Sequence, residues 1–427
     1  MDILFYMPRP RHIESTGMRT HVAEVLNNLH RMGHSIRYVD GELFSPIPPE
    51  ELTPGPVNNG PKSMLARATG LAAASPLKGE IWLLWNLLKE ARVFFLAVRT
   101  VIRRRPEVIY WRDNHFNSDY LISRLFNIPL VKEVNAVGSN ELKISGRVDR
   151  FTLWLYKIIE RGTTGRADGV ITVTQELKAL LETEFGVDPY KITVVQNGAN
   201  IDIFRPMDKS KMREKLGLEQ DTPYICFVGL LRKWQGVEYL IRSLPLIRDR
   251  HAGTRLLIVG DGPLLEELRS IAGEAGVSSD VIFTGGVPYE DVPCYINASD
   301  VCAAPFIREV DKKGGLCSLK MYEYLACGKP CVISRLSGID TMDLYNCLIA
   351  VEPENVTELA ENIAMILQND ELRKEMGENG RKYVVENQSW EKVTGRVADV
   401  LDEVNCLHQM KKMYRSSHEY KTEQKGG

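Results

Sequence analysis

Gly314-Gly315-Leu316-Cys317-Ser318-Leu319-Lys320-Met321-Tyr322-Glu323-Tyr324-Leu325-Ala326-Cys327-Gly328-Lys329-Pro330 reads as a glycine-rich loop, a short helix and a stop, followed by an apolar run from Pro330 to Ile333. Gly328 stands where a left-handed residue ends a helix, and the run after it has the length of a buried strand. The loop leaves backbone N–H groups free at the helix start, where the dipole is positive. Ser318 and Lys320 add a hydroxyl and a cation to that end. Glu323 follows Lys320 by three residues and shares its face; a carboxylate there can accept hydrogen bonds from a vicinal diol such as ribose. A plain surface Lys–Glu pair at this spacing is worth only roughly 0.2–0.5 kcal/mol, so the pair gains meaning from its setting.

The same unit of apolar strand and amphipathic helix repeats in both directions. Strands are expected at Ile3–Met7, Ser35–Val39, Val108–Trp111, Leu130–Val134, Val170–Val173 and Ile192–Val195, then at Tyr224–Val228, Leu256–Val259, Val281–Phe283, Val301–Ala304, Pro330–Ile333 and Leu348–Val351. Fully apolar, β-branched strands alternating with helices imply parallel sheets covered on both faces, an α/β architecture. The rhythm restarts near residue 222, after the turn formers of Asn197–Pro206 and the polar stretch Asp208–Thr222. Two Rossmann-like doubly wound domains are therefore expected, 1–206 and 207–386, with the strand ends of each facing a cleft where ligands bind. The Pro-, Gly- and Ala-rich Glu42–Gly79 reads as an irregular excursion, and the polar 411–427 as a disordered tail.

With 427 residues, the chain is long enough for two cores. Its 54 basic and 56 acidic residues leave a net charge of −2, which gives no ground for a nucleic-acid partner. The eight cysteines, all from Cys226 onward, read as reduced thiols and not as a disulfide framework. Cys327 and Cys331 lack the second pair that a zinc site needs. Residues 1–7 lack the charged start of a signal peptide, so a cytoplasmic protein is expected. Ile81–Arg105 is too often interrupted by charge to span a membrane. Its Trp82, Trp85, Phe94 and Phe95, with Arg103–Arg105, fit either a core-packed helix or one lying on the cytoplasmic face of an anionic membrane.

Two further loops carry candidate chemistry. After the first strand, Gly17 and Met18 open a helix whose amides are suited to an anion. After Phe227–Val228, the turn Gly229-Leu230-Leu231-Arg232-Lys233-Trp234-Gln235-Gly236 offers Arg232 and Lys233 to a diphosphate, although the same residues fit a solvated loop.

Taken in order, several stretches resemble the retaining glycosyltransferases of the GT-B fold, family 4 type, group 1. They are Gly17-Met18-Arg19-Thr20-His21, Val195 to Pro206, Leu257-Ile258-Val259-Gly260-Asp261-Gly262-Pro263, Tyr322 to Pro330 and Ser389-Trp390-Glu391-Lys392. The resemblance covers about residues 1–405. It implies that a helix over 387–405 packs back on the first domain. It implies a nucleotide-diphosphate sugar (UDP-, GDP- or ADP-linked) as co-substrate, no cofactor, no metal, and transfer of a hexosyl group with retention to a glycan, lipid-linked or small-molecule acceptor. Glu323 matches the glutamate that holds the donor ribose, Gly17 the glycine loop beside the diphosphate, and Gly285 to Val287 the loop that reads the nucleobase.

This sequence departs from the family pattern at several positions. The first glutamate of the paired motif is replaced by Gly315, the diphosphate-gripping Arg and Lys by Leu230 and Gln235, and a first-domain histidine by Asn135. The departures occur together and resemble one branch of the family, which implies an altered donor grip. Arg232, Lys233 and Lys320 are the expected replacement cations, so the expected catalytic set is Glu323, Lys320, Arg232 and Asn135. Gly17, Met18, Gly229, Lys233, Gly285, Val287, Gly315, Leu316 and Ser318 are expected around the donor. Arg11, His12, Arg112, Glu133 and Asn135 are expected on the acceptor side. Two alternatives carry the same residues: a non-catalytic nucleotide-sugar-binding subunit and a sugar-nucleotide epimerase. A Rossmann dehydrogenase is disfavoured, since no G-x-G-x-x-G follows the first strand.

Overall fold

The computed structural model describes residues 1–7, 16–40, 91–92, 94–112, 118–139, 149–315, 317–339 and 346–423. The excursion expected at Glu42–Gly79 lies outside them. Two parallel sheets of six strands each form the framework. The first contains β1 (Asp2–Met7), β2 (Ser35–Asp40), β3 (Val108–Arg112), β4 (Leu130–Val134), β5 (Gly169–Thr172) and β6 (Ile192–Val194), in the order β2-β1-β3-β4-β5-β6. The second contains β7 (Tyr224–Val228), β8 (Arg255–Val259), β9 (Val281–Gly285), β10 (Val301–Ala304), β11 (Cys331–Ser334) and β12 (Leu348–Val351), in the order β12-β11-β10-β7-β8-β9. Every strand falls within a residue or two of the apolar run that announced it. The runs are apolar throughout because helices cover both faces: β3, β5, β10 and β11 are buried at every position.

The order of strand addition reverses between β1 and β3 in the first sheet, and between β7 and β10 in the second. Such a reversal of strand order is where an open α/β sheet can leave a ligand crevice outside its strand carboxyl ends. Gly17, Gly229 to Gly236 and Phe306 follow β1, β7 and β10 in the chain.

The chain crosses between the sheets twice, and the crossings are joined. The amide of Ala199 donates to Gln388 O at 2.9 Å, and that of Trp390 to Ala199 O at 3.1 Å. Arg381 ties the first crossing down by donating to Phe204 O and Ala326 O, each at 2.9 Å. The Trp390–Glu423 helix then returns to the first sheet, where Trp390, Val393, Val397 and Leu401 pack with Ile3, Phe5 and Val25.

The polar stretch at the expected domain boundary holds a helix at Lys209–Leu216, capped by Asp208 through the amide of Lys211 and closed by left-handed Gly217. The tail expected to be disordered from Lys411 continues as helix to Glu423. No Pro or Gly interrupts it, and its Lys, Met, Arg and Glu are good helix formers that extend a helix already nucleated by packing. Residues 424–427 lie outside the described chain.

Candidate active site

Lys320 sits at the switch point of the second sheet. The Leu319–Ala326 helix begins after Ser318, whose hydroxyl makes no capping hydrogen bond, so the first-turn amides are left to other partners. Lys320 is buried, and its ammonium lies 3.9 Å from the Phe227 ring centre and 5.2 Å from that of Phe306. It donates to Gln235 Oε1 at 2.5 Å. A side chain at Gly229 is excluded: its Cβ would stand 2.7 Å from Lys320 Nζ, and φ is +146°. Burial outweighs the attraction of Glu323 and lowers the Lys320 pKa to about 7. The cation has ring faces and an amide oxygen around it and, among the described residues, no carboxylate within salt-bridge reach. Gln235 thus meets a lysine that comes from the neighbouring helix.

Glu323 lies one turn further along and is buried. Burial raises its pKa to about 7, against the opposing pull of Lys320 and Tyr289, while Glu24 of the first domain adds to the rise. The Tyr289 hydroxyl interacts with Glu323 but completes no hydrogen bond of ordinary geometry. Tyr289 follows the loop of Gly285 and Val287. Gly285 has φ +71° and accepts the amide of Gly260 at 2.9 Å, while Val287 packs on the core beneath.

Gly17 meets this group from the other domain. A Cβ there would lie 3.1 Å from Leu319 Cδ1, and both Met18 and Leu319 pack on the first-domain core. Two helices, Thr16–Arg31 and Leu319–Ala326, thus bring their positive ends to one place beside a buried cation, an arrangement suited to an anion. Gly314 and Gly315 close against the first domain as well. Thr174 Oγ1 donates to Gly314 O, and a Cβ on Gly315 would stand 3.0 Å from Glu176 Oε2.

On the first sheet the structure gathers Arg112, Glu133 and Asn135. Glu133 Oε1 accepts from Arg112 Nη1 at 2.9 Å and Asn135 Nδ2 at 3.0 Å, and pairs with His21 Nε2 at 2.9 Å. Its other oxygen accepts from Tyr110. Burial alone raises a carboxyl's pKa, but Arg112, His21 and Tyr110 together outweigh it and hold Glu133 well below the ordinary range. His21 Nδ1 meets Asn197 Oδ1 at 2.7 Å, and Asn197 Nδ2 donates to Cys317 O at 2.8 Å. This chain of polar contacts runs from Glu133 into the glycine-rich loop of the second domain.

Arg232 and Lys233 are exposed and line a hollow of about 330 Å³ with Val237, Glu238, Leu264, Glu267 and Leu268. Arg11, His12 and Leu316 lie outside the described residues. His21, Tyr110, Asn197, Gln235 and Tyr289 were not singled out from sequence as site residues. His21 carried a usable signal, standing one helical turn after Gly17 on the same face. Among the described residues no three His, Cys, Asp or Glu side chains gather as a metal would require.

Residues 208–383 match the family model described as glycosyl transferases group 1, and residues 15–203 that described as Glycosyltransferase Family 4. Over 299 residues the chain is 30% identical to an uncharacterized glycosyltransferase of Methanocaldococcus jannaschii, covering 69% of this chain and 74% of that one. The chain belongs to the group 1 glycosyltransferases. A second uncharacterized glycosyltransferase of the same organism is 30% identical over 260 residues, 60% of this chain and 64% of its own. A GDP-mannose-dependent alpha-(1-6)-phosphatidylinositol monomannoside mannosyltransferase of Mycolicibacterium smegmatis is 30% identical over 241 residues, 55% and 62%. The match to this glycosyltransferase spans under two thirds of either of those two relatives. Among solved structures, sucrose-phosphate synthase of Thermosynechococcus elongatus aligns with a TM-score of 0.71 at 18% identity, covering 95% of this chain and 99% of that one. Anabaena HepE, solved with UDP, aligns with a TM-score of 0.65 at 17% identity, covering 94% and 100%. Identities this low speak for the fold alone, which is GT-B.

Proposed function

We propose that this glycosyltransferase moves a hexosyl group from a nucleotide-diphosphate sugar to an acceptor hydroxyl with retention and without a metal ion. One observation carries the reading: a buried lysine, Lys320, sits between two aromatic rings with no carboxylate paired to it among the described residues, beside two converging helix starts. A diphosphate supplies the missing negative charge. As the bond from sugar C1 to phosphate oxygen breaks, charge gathers on that oxygen. Lys320 and the amides of the two helix starts, aimed at it beforehand, stabilise the transition state more than the ground state. Ribose hydroxyls donate to Glu323, with Gly285 and Val287 beside the base.

The acceptor oxygen bonds to C1 from the face the phosphate leaves. Glu133 is a poor base for its proton: three donors and the adjacent His21 ring surround the carboxylate, and Arg112, His21 and Tyr110 hold its pKa low. The proton goes to the departing phosphate oxygen, and Glu133 fixes Arg112, Asn135 and His21 around the acceptor. The names of relatives that act on phosphatidylinositol monomannoside and on D-inositol 3-phosphate favour a polyhydroxylated, phosphate-bearing acceptor. The test is a thermal-shift screen against UDP, GDP, ADP and their sugars, since a specific donor stabilises the fold by mass action. One nucleotide series should raise the melting temperature, and Glu323→Ala should abolish that rise. A full rise in Glu323→Ala would remove Glu323 from the donor site.

A further inference from the structure

The Arg150–Thr164 helix of the first domain is amphipathic, but its apolar stripe faces outward. Phe151, Trp154, Leu155, Ile158 and Ile159 follow the spacing of one helix face. All five are exposed, Phe151 by 69% and Trp154 by 58%. The residues turned inward are Tyr156, Glu160 and Thr164. A helix that packs its polar side and shows its apolar side is built to be covered by something else.

The charges on the helix indicate what covers it. Its exposed charged side chains are Arg150, Lys157 and Arg161, all basic, while its one carboxylate, Glu160, is turned inward. Lys157 is shared with Glu184 at 2.9 Å. Phe151 and Trp154 stack at 5.8 Å at the helix start, where an aromatic pair suits the boundary between water and hydrocarbon. The surface is broader than one helix. Arg124, on the Ser118–Phe126 helix that exposes Leu121 and Leu125, donates to Arg166 O at 2.7 Å just beyond the helix end. Pairing with a second copy about a two-fold axis would set these cations against like charges. A negatively charged lipid surface takes both the cations and the apolar stripe.

We propose that the Arg150–Thr164 helix seats this protein on an anionic lipid bilayer, with its five apolar side chains in the acyl boundary and Arg150 and Arg161 among the headgroups. No helix among the described residues is long and apolar enough to cross a membrane, so the helix lies along the surface. The seat connects to the first-domain site. Glu160, on the inner side of the same helix, accepts the amides of Gly138 at 2.7 Å and Ser139 at 3.1 Å, three and four residues past Asn135. The helix that rests on lipid therefore also holds the loop that leaves the Glu133 cluster.

The experiment is vesicle flotation of the full chain, using phosphatidylcholine alone or phosphatidylcholine with phosphatidylglycerol. Wild type should float with the anionic vesicles and at least tenfold less with the neutral ones, and binding should weaken several-fold as salt rises from about 0.1 to 0.5 M. The double variant Trp154→Ser/Ile158→Ser should lose at least tenfold of the anionic binding, while keeping its melting temperature and its response to nucleotide. Arg150→Glu/Arg161→Glu should lose the anionic preference. The proposal is overturned if wild type stays with the soluble fraction or if the Trp154/Ile158 variant floats like wild type. It is equally overturned if light scattering shows a dimer that this variant converts to monomer without any vesicle binding. None of these readouts requires glycosyl transfer, so the seat and the proposed activity fail independently.

Discussion

Lys320→Met is the sharpest test of the donor site. The substitution keeps the length and apolar stem of the side chain and removes the charge. Lys320 is the buried cation beside both helix starts, so the diphosphate loses a charge-assisted hydrogen bond worth roughly 1.5–3 kcal/mol. Donor affinity should then fall by about 10- to 150-fold. Stability should change little or rise, since a desolvated charge leaves the core and only Gln235 loses a partner.

The pH dependence separates this from a merely structural role. Burial lowers the Lys320 pKa to about 7 from its ordinary 10.5. The unfolded chain therefore holds the extra proton across pH 7 to 10.5, and Lys320's contribution to stability of the free protein rises with pH through that window. Donor binding runs the other way. A diphosphate beside Lys320 favours the protonated form, so complex formation takes up a proton above pH 7. Affinity for the nucleoside diphosphate should fall by up to about tenfold per pH unit there. Calorimetry in buffers of differing ionisation enthalpy should show that proton uptake in wild type and its loss in Lys320→Met. A variant that binds within threefold of wild type, or a wild type whose affinity is flat from pH 7 to 9, would refute the assignment of Lys320 to the diphosphate.

Glu133→Gln leaves Arg112 buried without its counter-charge, and a loss of about 3–5 kcal/mol is expected in urea denaturation at pH 7. The Glu133 pKa is depressed, so its stabilisation is complete above the ordinary carboxyl value of 4.5 and drains away as acid is added below it. The gap between the two proteins should accordingly narrow at pH 3. Gly236→Ala places a Cβ 1.8 Å from Pro305 O at φ +65°, and should prevent stable folding or cost more than about 3 kcal/mol. Gly217→Ala shares that φ, at +66°, but has open space around it, and should cost only about 1 kcal/mol. Similar losses in the two variants would show that backbone strain alone, without the contact to Pro305, sets the effect.

Much of the framework was legible in the sequence because it is local. A strand buried on both faces must be apolar at every position, so runs such as Val108–Trp111 or Tyr224–Val228 announce themselves. Caps are also local: Asp208 and Gly217 bracket a helix that the polarity of the segment concealed. The site is another matter. Glu323 and Lys320 stood out because one helix carries both. The contact of Lys320 with Gln235 joins residues 85 apart in sequence, and Glu133 draws its donors from two strands and a helix of the first domain. Such meetings depend on strand order and register. Sequence offered Arg232 and Lys233 alongside Lys320 as replacement cations without telling which is buried; the structure buries Lys320 and leaves the other two exposed. For the Arg150–Thr164 helix, spacing alone cannot tell whether the apolar face meets core or solvent.

The joined crossings at Ala199 and Ser389 have a mechanical consequence. Because both passages of the chain leave the first domain at one place and are bonded to each other, the two halves are hung along a single edge. A hinge rotation about that edge spares the Ala199–Gln388 and Trp390–Ala199 hydrogen bonds, whereas sliding one half past the other would break them. A swing that parts Gly17 from Leu319 also separates the two helix starts proposed to hold the donor, and it bears on the hydrogen bond from Asn197 to Cys317 as well.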